Sequence, residues 1–372
     1  MNISVISPYI YSYFDSNYGP TPGGAQRQQY LISRQLIDRG HEVSFIVGDF
    51  GQPGADTGDE ITLIKGAPTN VDGPLSMGSA AIQLLRAMRS ANADLFLVRG
   101  SPKLTAATYC CAKLLRKPLV FRLANDSDID PEHLRSRYSL PVRRLYRYAV
   151  QGTAAIMAQT AQQRRALKRE FDVDSCVVPN AYDLPSEDEI VPQVERETIL
   201  WVGSSDPAQK KPQRFLELAA DLPDESFQMI SKRMPDDGGY HEQLREKAEK
   251  VPNLDFVGEV SPDAIHEYYR NAKFLVNTSD YEGFPNTFLE AWRYETPVVS
   301  LFFDLDEILA SNKVGMVSGD LEQLTQDTRR FGKEPDLRSR MGSAARELVA
   351  NQYSISEVTT KYEKSFEKAN SA

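Results

Sequence analysis

Short apolar runs alternate with helix-length stretches along the whole chain, and this rhythm restricts the fold more than any other feature. The strand-like runs of the first half are Ile3–Ser7, Val43–Val47, Ile61–Lys65, Leu95–Val98, Leu119–Leu123, Ala155–Ala158 and Cys176–Val178. Helical patterns such as Gly24–Arg39 and Lys103–Arg116 lie between them, and Gly40 follows the first as a helix stop. The second half repeats the theme with Ile199–Val202, Phe227–Ile230, Leu254–Val257, Phe274–Asn277 and Val298–Leu301. Such alternation predicts an α/β architecture, with parallel sheets covered by helices on both faces.

A length of 372 residues suits about two domains. Asp183–Glu197, "DLPSEDEIVPQVERE", holds prolines and acids without apolar periodicity and reads as a linker. The expected organisation is a doubly wound domain over 1–182, the linker 183–197, and a second doubly wound domain over 198–350. The tail 351–372 would add a helix crossing the domain interface. Ligands of such sheets bind beyond the carboxyl ends of the strands, here in a cleft between the domains.

Composition removes several classes of function. A net charge of −9 argues against nucleic acid as a partner. Cys110, Cys111 and Cys176 are odd in number and lack zinc or disulfide spacing, which fits a reducing, cytoplasmic setting. The opening MNISVISPYI lacks the basic region and long apolar run of a signal peptide. No window approaches the ~18 continuous apolar residues of a membrane span. His41, His133, His241 and His266 are scattered, and neither a metal site nor a cofactor is expected.

The chemistry concentrates in "YEGFPNTFLEAW", residues 281–292. Phe274–Asn277 is the strand, Thr278–Phe284 the loop, and Pro285 suits the first position of the helix that follows. That helix start has no side-chain cap, so its free N–H groups suit a phosphate. Glu282 then sits in the loop, poised to accept hydrogen bonds from hydroxyls, and Glu290 lies in the second helical turn. Spacing alone would leave two glutamates on an ordinary helix.

This stretch, followed by "ETPVV", resembles the Glu-x7-Glu signature of family 4 retaining glycosyltransferases. That family has the GT-B fold of two Rossmann-like domains facing each other across a cleft. Further segments are similar in the same order: "PGGAQRQQYLISRQLIDRGHEV" (22–43), "VVPNAYD" (177–183), "WVGSSDPAQKKPQRFLELA" (201–219) and "LDFVGEVSPDAIHEYYRNAKFLVNTS" (254–279). The resemblance implies that Glu282 binds hydroxyls of a donor sugar and Glu290 the ribose of its nucleotide. It implies that Gly283, Phe284, Pro285, Asn286 and Thr287 hold the sugar and its phosphates. Lys210 would neutralise the diphosphate leaving group, and Gly23 and Gly24 would let the backbone approach the donor. The implied reaction moves a sugar, with retention and without a metal, from a nucleotide-diphosphate sugar to a glycan or lipid-linked acceptor.

Two positions depart from the family pattern. Ser204 stands where an arginine commonly joins the lysine, and Lys211, Lys232 or Arg233 would have to replace it. "LVFRLANDSD" (119–128) lacks the histidine many relatives carry, leaving Asn125, Asp126 or Asp128 for acceptor-side contact. These departures keep open a non-catalytic nucleotide-sugar-binding protein; a nucleotide-sugar epimerase of the same fold is a second alternative, which would call for more acid/base residues in the cleft than this sequence offers. A dinucleotide-dependent oxidoreductase is disfavoured because no Gly-x-Gly-x-x-Gly follows the first strand. Asp-x-Asp matches at 126–128, 128–130, 172–174 and 304–306 are background for an acidic chain.

One charge pattern stands apart. Between His133 and Arg169 there is no acidic residue and there are nine basic ones: Arg135, Arg137, Arg143, Arg144, Arg147, Arg164, Arg165, Lys168 and Arg169. Alternation with Val142, Leu145, Tyr146 and Ala149 makes the first part amphipathic. It is either a solvated helix face or a docking surface for anionic lipid or a phosphate-bearing acceptor, and the lipid would place the protein peripherally at the inner face of the membrane. Tyr9–Thr21, "YIYSYFDSNYGPT", is an aromatic loop suited to stacking on acceptor sugars or to packing over the sheet edge.

Overall fold

The computed structural model describes residues 1–371 apart from 16, 20–22, 53–59, 70–73, 235–236 and 262–263. Ser16, Pro20 and Thr21 of the aromatic loop, Pro22 of the glycine-rich segment, and residues 262–263 of the 254–279 stretch therefore lie outside it. The chain forms two compact units, 1–181 with 355–372, and 182–354.

The first unit holds a parallel sheet of seven strands: β1 (Asn2–Ile6), β2 (Glu42–Asp49), β3 (Thr62–Pro68), β4 (Leu95–Arg99), β5 (Leu119–Arg122), β6 (Ala155–Ala158) and β7 (Cys176–Val177). Their order is β3-β2-β1-β4-β5-β6-β7. Central strands are buried along nearly their whole length, as their apolar runs require, whereas edge strand β3 mixes exposed, half-buried and buried residues. Side chains alternate between faces. Ile3 and Val5 join a core with Ile32, Leu36, Tyr362 and Phe366, while Ile6 joins Phe96, Val98, Phe121 and Tyr146 on the other side.

The second unit holds β8 (Thr198–Ser204), β9 (Ser226–Lys232), β10 (Leu254–Gly258), β11 (Ala272–Asn277), β12 (Val298–Ser300) and β13 (Gly315–Val317). Their order is β10-β9-β8-β11-β12-β13, again all parallel. Strand β13 has no counterpart in the sequence reading. It is three residues long and begins at Gly315, where a Cβ would lie 2.2 Å from the Val298 carbonyl oxygen.

Segment 183–197 packs into the second unit rather than hanging free. Arg196 is buried and donates to the carbonyls of Val191, Ala272 and Tyr294 and to Thr296 Oγ1. Its acids are exposed, which is why the stretch looks like a linker in sequence. Near the other boundary, the helix from Pro335 runs on through a wider turn, Val349–Tyr353. The last helix, Ile355–Asn370, belongs to the first unit. Arg39 Nη1 donates to Glu363 Oε2 at 2.6 Å and to Thr360 Oγ1 at 3.0 Å, joining this helix to the end of Gly24–Asp38.

Candidate active site

In the second sheet β8 leads to β9 on one side, while β11 starts the series on the other. The strand order thus reverses between β8 and β11, and the loops leaving such a pair diverge around a natural ligand position. Here those loops are tied together. Asp280 N donates to Gln209 O at 3.0 Å, Gln209 Nε2 to Tyr281 O at 3.1 Å, and Thr278 Oγ1 to Lys210 O at 2.8 Å. Trp201 Nε1 donates to the same Thr278 hydroxyl at 2.9 Å.

The tie brings Lys210 and Glu282 together, although 72 residues separate them. Lys210 Nζ lies 2.6 and 2.8 Å from the two carboxylate oxygens of Glu282. Glu282 Oε1 also accepts from Ser279 Oγ at 2.7 Å and Asn277 Nδ2 at 3.3 Å. The Glu282 side chain is 6% exposed and that of Lys210 is 23% exposed, so the pair is open to solvent mainly from the lysine side. An acceptor-only carboxylate and a three-donor ammonium held side by side match a ligand presenting hydroxyls next to an anion.

Glu290 is buried in the short helix Asn286–Trp292, and its Oε1 accepts from Tyr182 Oη at 2.8 Å. Pro285 precedes this helix as its N-cap instead of occupying its first position, and no side chain caps the start. Gly283, Phe284, Asn286 and Thr287 are partly exposed around it.

Lys211 is the N-cap at a helix start. It sits at φ 51°, ahead of the helix Pro212–Asp221, 3.5 Å from Asp280 Oδ2. Arg214 also binds Asp280. Partial burial opposes the Asp280 carboxylate, yet Arg214 and Lys211 hold its carboxyl below the usual range. Ser204 ends β8 in register with Lys232. The residues proposed to replace the missing arginine each have a carboxylate nearby: Lys232 lies 3.7 Å from Glu259, and Arg233 3.4 Å from Asp237. Sequence reasoning missed Asn277, Ser279, Tyr182 and Asp280, whose roles depend on which loops meet.

In the first unit the strand order reverses between β1 and β4. Gly23 is the extended N-cap of the helix Gly24–Asp38, and its N–H donates to Gln26 Oε1 at 3.1 Å. Arg99, at the end of β4, donates to Ala25 O at 3.5 Å and to Gln159 Oε1 at 3.3 Å. It was not singled out from sequence. Asn125 is exposed, and Asp126 accepts from Gln163 Nε2 at 2.7 Å. Asp128 turns inward, accepting from Asn125 N at 3.1 Å, and burial pushes its carboxyl up to about 6. The basic stretch forms the helices Pro131–Arg137, Leu140–Gly152 and Ala161–Phe171. Leu140, Leu145 and Tyr148 are exposed among Arg144 and Arg147. No helix among the described residues is long and apolar enough to cross a membrane.

Comparison with known proteins places these observations. The model described as Glycosyltransferase Family 4 matches residues 22–185, and that described as Glycosyl transferases group 1 matches 186–348. No curated protein matches the chain in sequence. Among solved structures it resembles sucrose-phosphate synthase from Thermosynechococcus elongatus, with 14% identity, 98% of both chains covered and a TM-score of 0.75. It also resembles Anabaena HepE in complex with UDP and glucose, with 15% identity, 99% of both chains covered and a TM-score of 0.74. The apo lipopolysaccharide outer core galactosyltransferase WaaB gives 13% identity, 98% of this chain and 99% of that one, and a TM-score of 0.70.

Proposed function

Because the chain belongs to the family 4 glycosyltransferases, with two Rossmann-like domains of the GT-B fold, we propose that its second unit binds a nucleotide-diphosphate sugar beside Lys210 and Glu282. The observation that carries this reading is the Lys210–Glu282 pair, held on the two loops that flank the reversal of the sheet. Glu282 accepts hydrogen bonds from the sugar hydroxyls. Lys210 turns from Glu282 toward the diphosphate, where negative charge builds as the glycosidic bond breaks. Glu290, fixed by Tyr182, takes the ribose. Gly283, Phe284, Asn286 and Thr287 surround the phosphates and sugar, with Lys211 and Ser204 beside them.

Transfer proceeds with retention and without a metal. The bond from the anomeric carbon to the diphosphate oxygen breaks, and its electron pair leaves with the phosphate. The acceptor hydroxyl attacks the same face and gives its proton to that departing oxygen, so no protein base is assigned. Asn125 and Asp126 form the acceptor-side wall in the first unit, while Gly23 and Gly24 let its backbone approach the donor. The relatives bound to UDP and glucose, or described as a galactosyltransferase, support a hexose donor.

Nucleotide release from UDP-, GDP-, ADP- and dTDP-sugars tests the reading. One donor should be cleaved by the wild type and by neither Glu282→Ala nor Lys210→Ala. A donor that binds but releases no nucleotide, even with crude membrane glycolipid present, would leave a non-catalytic binding protein. The exposed Leu140, Leu145 and Tyr148 among arginines support peripheral docking on anionic membrane, at about 1 kcal/mol per basic residue near the surface. Equal pelleting with neutral and anionic vesicles would refute that part.

A further inference from the structure

The first unit contains an apolar cavity that none of these roles uses. It opens beyond the carboxyl ends of β1, β2 and β3 and encloses about 330 Å³, a volume at the low end for small-ligand sites. Ile6, Ile46 and Leu84 form its buried base. The helices Pro74–Ser90 and Pro102–Leu115 face each other across it with Ala80, Leu104 and Ala107. At its edge Gly48 keeps three segments together, since a Cβ there would come within 2.5 Å of Thr69 Cγ2 and 2.9 Å of Pro8 O.

The polar side chains of the lining are Tyr9, Thr69, Ser101 and Lys103. Lys103 is exposed and has no hydrogen bond or ion pair among the described residues. A sugar placed in the base of this cavity would leave its hydroxyls unpaired against carbon, at a cost in affinity. A hydrocarbon chain meets no such penalty, and the ammonium of Lys103 complements an anionic group next to that chain.

We propose that the cavity takes the apolar chain of the acceptor, an alkyl or isoprenoid tail whose adjoining anionic group is met by Lys103. The assignment of that chain to the acceptor rests on the transferase reading, since the cavity lies on the strand ends where that reading puts the acceptor and is bordered by Pro8 and Tyr9 of the loop after β1. The binding itself does not depend on it.

Calorimetric titration of the full chain with n-alkyl phosphates from butyl to octyl, below their aggregation limits, tests the binding. Affinity should rise about four-fold per methylene until the cavity is full. Ala107→Phe and, from the opposite wall, Ala80→Phe should flatten that rise while melting within a few degrees of wild type. Alkyl phosphates should bind better than alkanols of equal length in the wild type, and Lys103→Glu should remove the difference. Affinity independent of chain length, or an unchanged rise in both filled variants, overturns the proposal. Nucleotide release without acceptor is followed in parallel and should be equal in all of these variants, so failure of the donor reading is seen separately. Octyl phosphate should inhibit transfer to membrane glycolipid in the wild type and not in Ala107→Phe; transfer without inhibition would overturn the assignment to the acceptor.

Discussion

Replacing Lys210 by Met separates the structural role of the Lys210–Glu282 pair from its proposed catalytic one. The substitution leaves the Glu282 carboxylate, 6% exposed, with Ser279 Oγ at 2.7 Å and Asn277 Nδ2 at 3.3 Å as its remaining side-chain donors. Stripping a partner from a fully buried pair costs about 3–5 kcal/mol. Lys210 is 23% exposed, so water reaches that side and screening reduces the loss to about 2 kcal/mol. In a unit of this size that lowers the melting temperature by about 4–8 °C.

Glu282→Gln should cost less, because the lysine left behind is the better solvated partner. The double variant Lys210→Met/Glu282→Gln removes both charges and should recover most of the stability lost by Lys210→Met. Activity should behave differently. Each single variant should lower kcat about 10²–10³-fold, the loss seen when a group aimed at developing charge is removed, and the double variant should recover none of it. Scanning calorimetry and nucleotide release on the same four proteins give both readings. A double variant as unstable as Lys210→Met would refute the energetic coupling. Near wild-type release by Lys210→Met would refute the leaving-group role.

Two further predictions concern groups fixed by burial. Tyr182→Phe removes the hydroxyl bonded to Glu290 at 2.8 Å and should cost about 1.5–3 kcal/mol, read by thermal shift, and raise the donor KM more than it lowers kcat. An unchanged melting temperature and KM would disprove the support of Glu290. Asp128 has its carboxyl raised by burial from 3.8 to about 6, so the folded chain holds that proton more tightly than the unfolded one. Its contribution is present below about pH 4 and is lost as pH rises through 6, by roughly 3 kcal/mol at most. Asp128→Asn should therefore gain melting temperature relative to wild type between pH 4 and 7.5. Parallel profiles would show that Asp128 does not titrate in this window.

Much of the architecture was legible because parallel strands buried on both faces must be largely apolar, and β1, β5, β6 and β11 carry apolar runs interrupted by few polar residues, such as Ser4, Arg122 and Lys273. Strand β13 was hidden by its length and by Gly315, which is there because Val298 O leaves no room for a Cβ. The packed course of 183–197 was hidden for a different reason. Its attachment runs through Arg196, which reaches Ala272 O, Tyr294 O and Thr296 Oγ1, and through Gln193, which is bonded to Glu295 O and Arg338, contacts far apart in sequence with no local pattern.

The candidate site divides along the same line. Glu282 and Glu290 stood out because a strand, a loop and a helix start are local events, whereas their proposed roles, and the choice of Lys210, came from the resemblance to the family and not from spacing. Which side chains surround them was not. Ser279 and Asn277 turn back to Glu282, Tyr182 reaches Glu290 across 108 positions, and Lys210 meets Glu282 only because β8 and β11 are neighbours. The sequence by itself determined all strands but β13 and their parallel layering, and the resemblance it carries named the residues proposed to handle a sugar and its phosphates. Tertiary structure alone decided which charges neutralise each other, which carboxyl is buried enough to hold its proton near pH 6, and where an apolar cavity stays open. Those properties depend on distance and desolvation, which chain order does not encode.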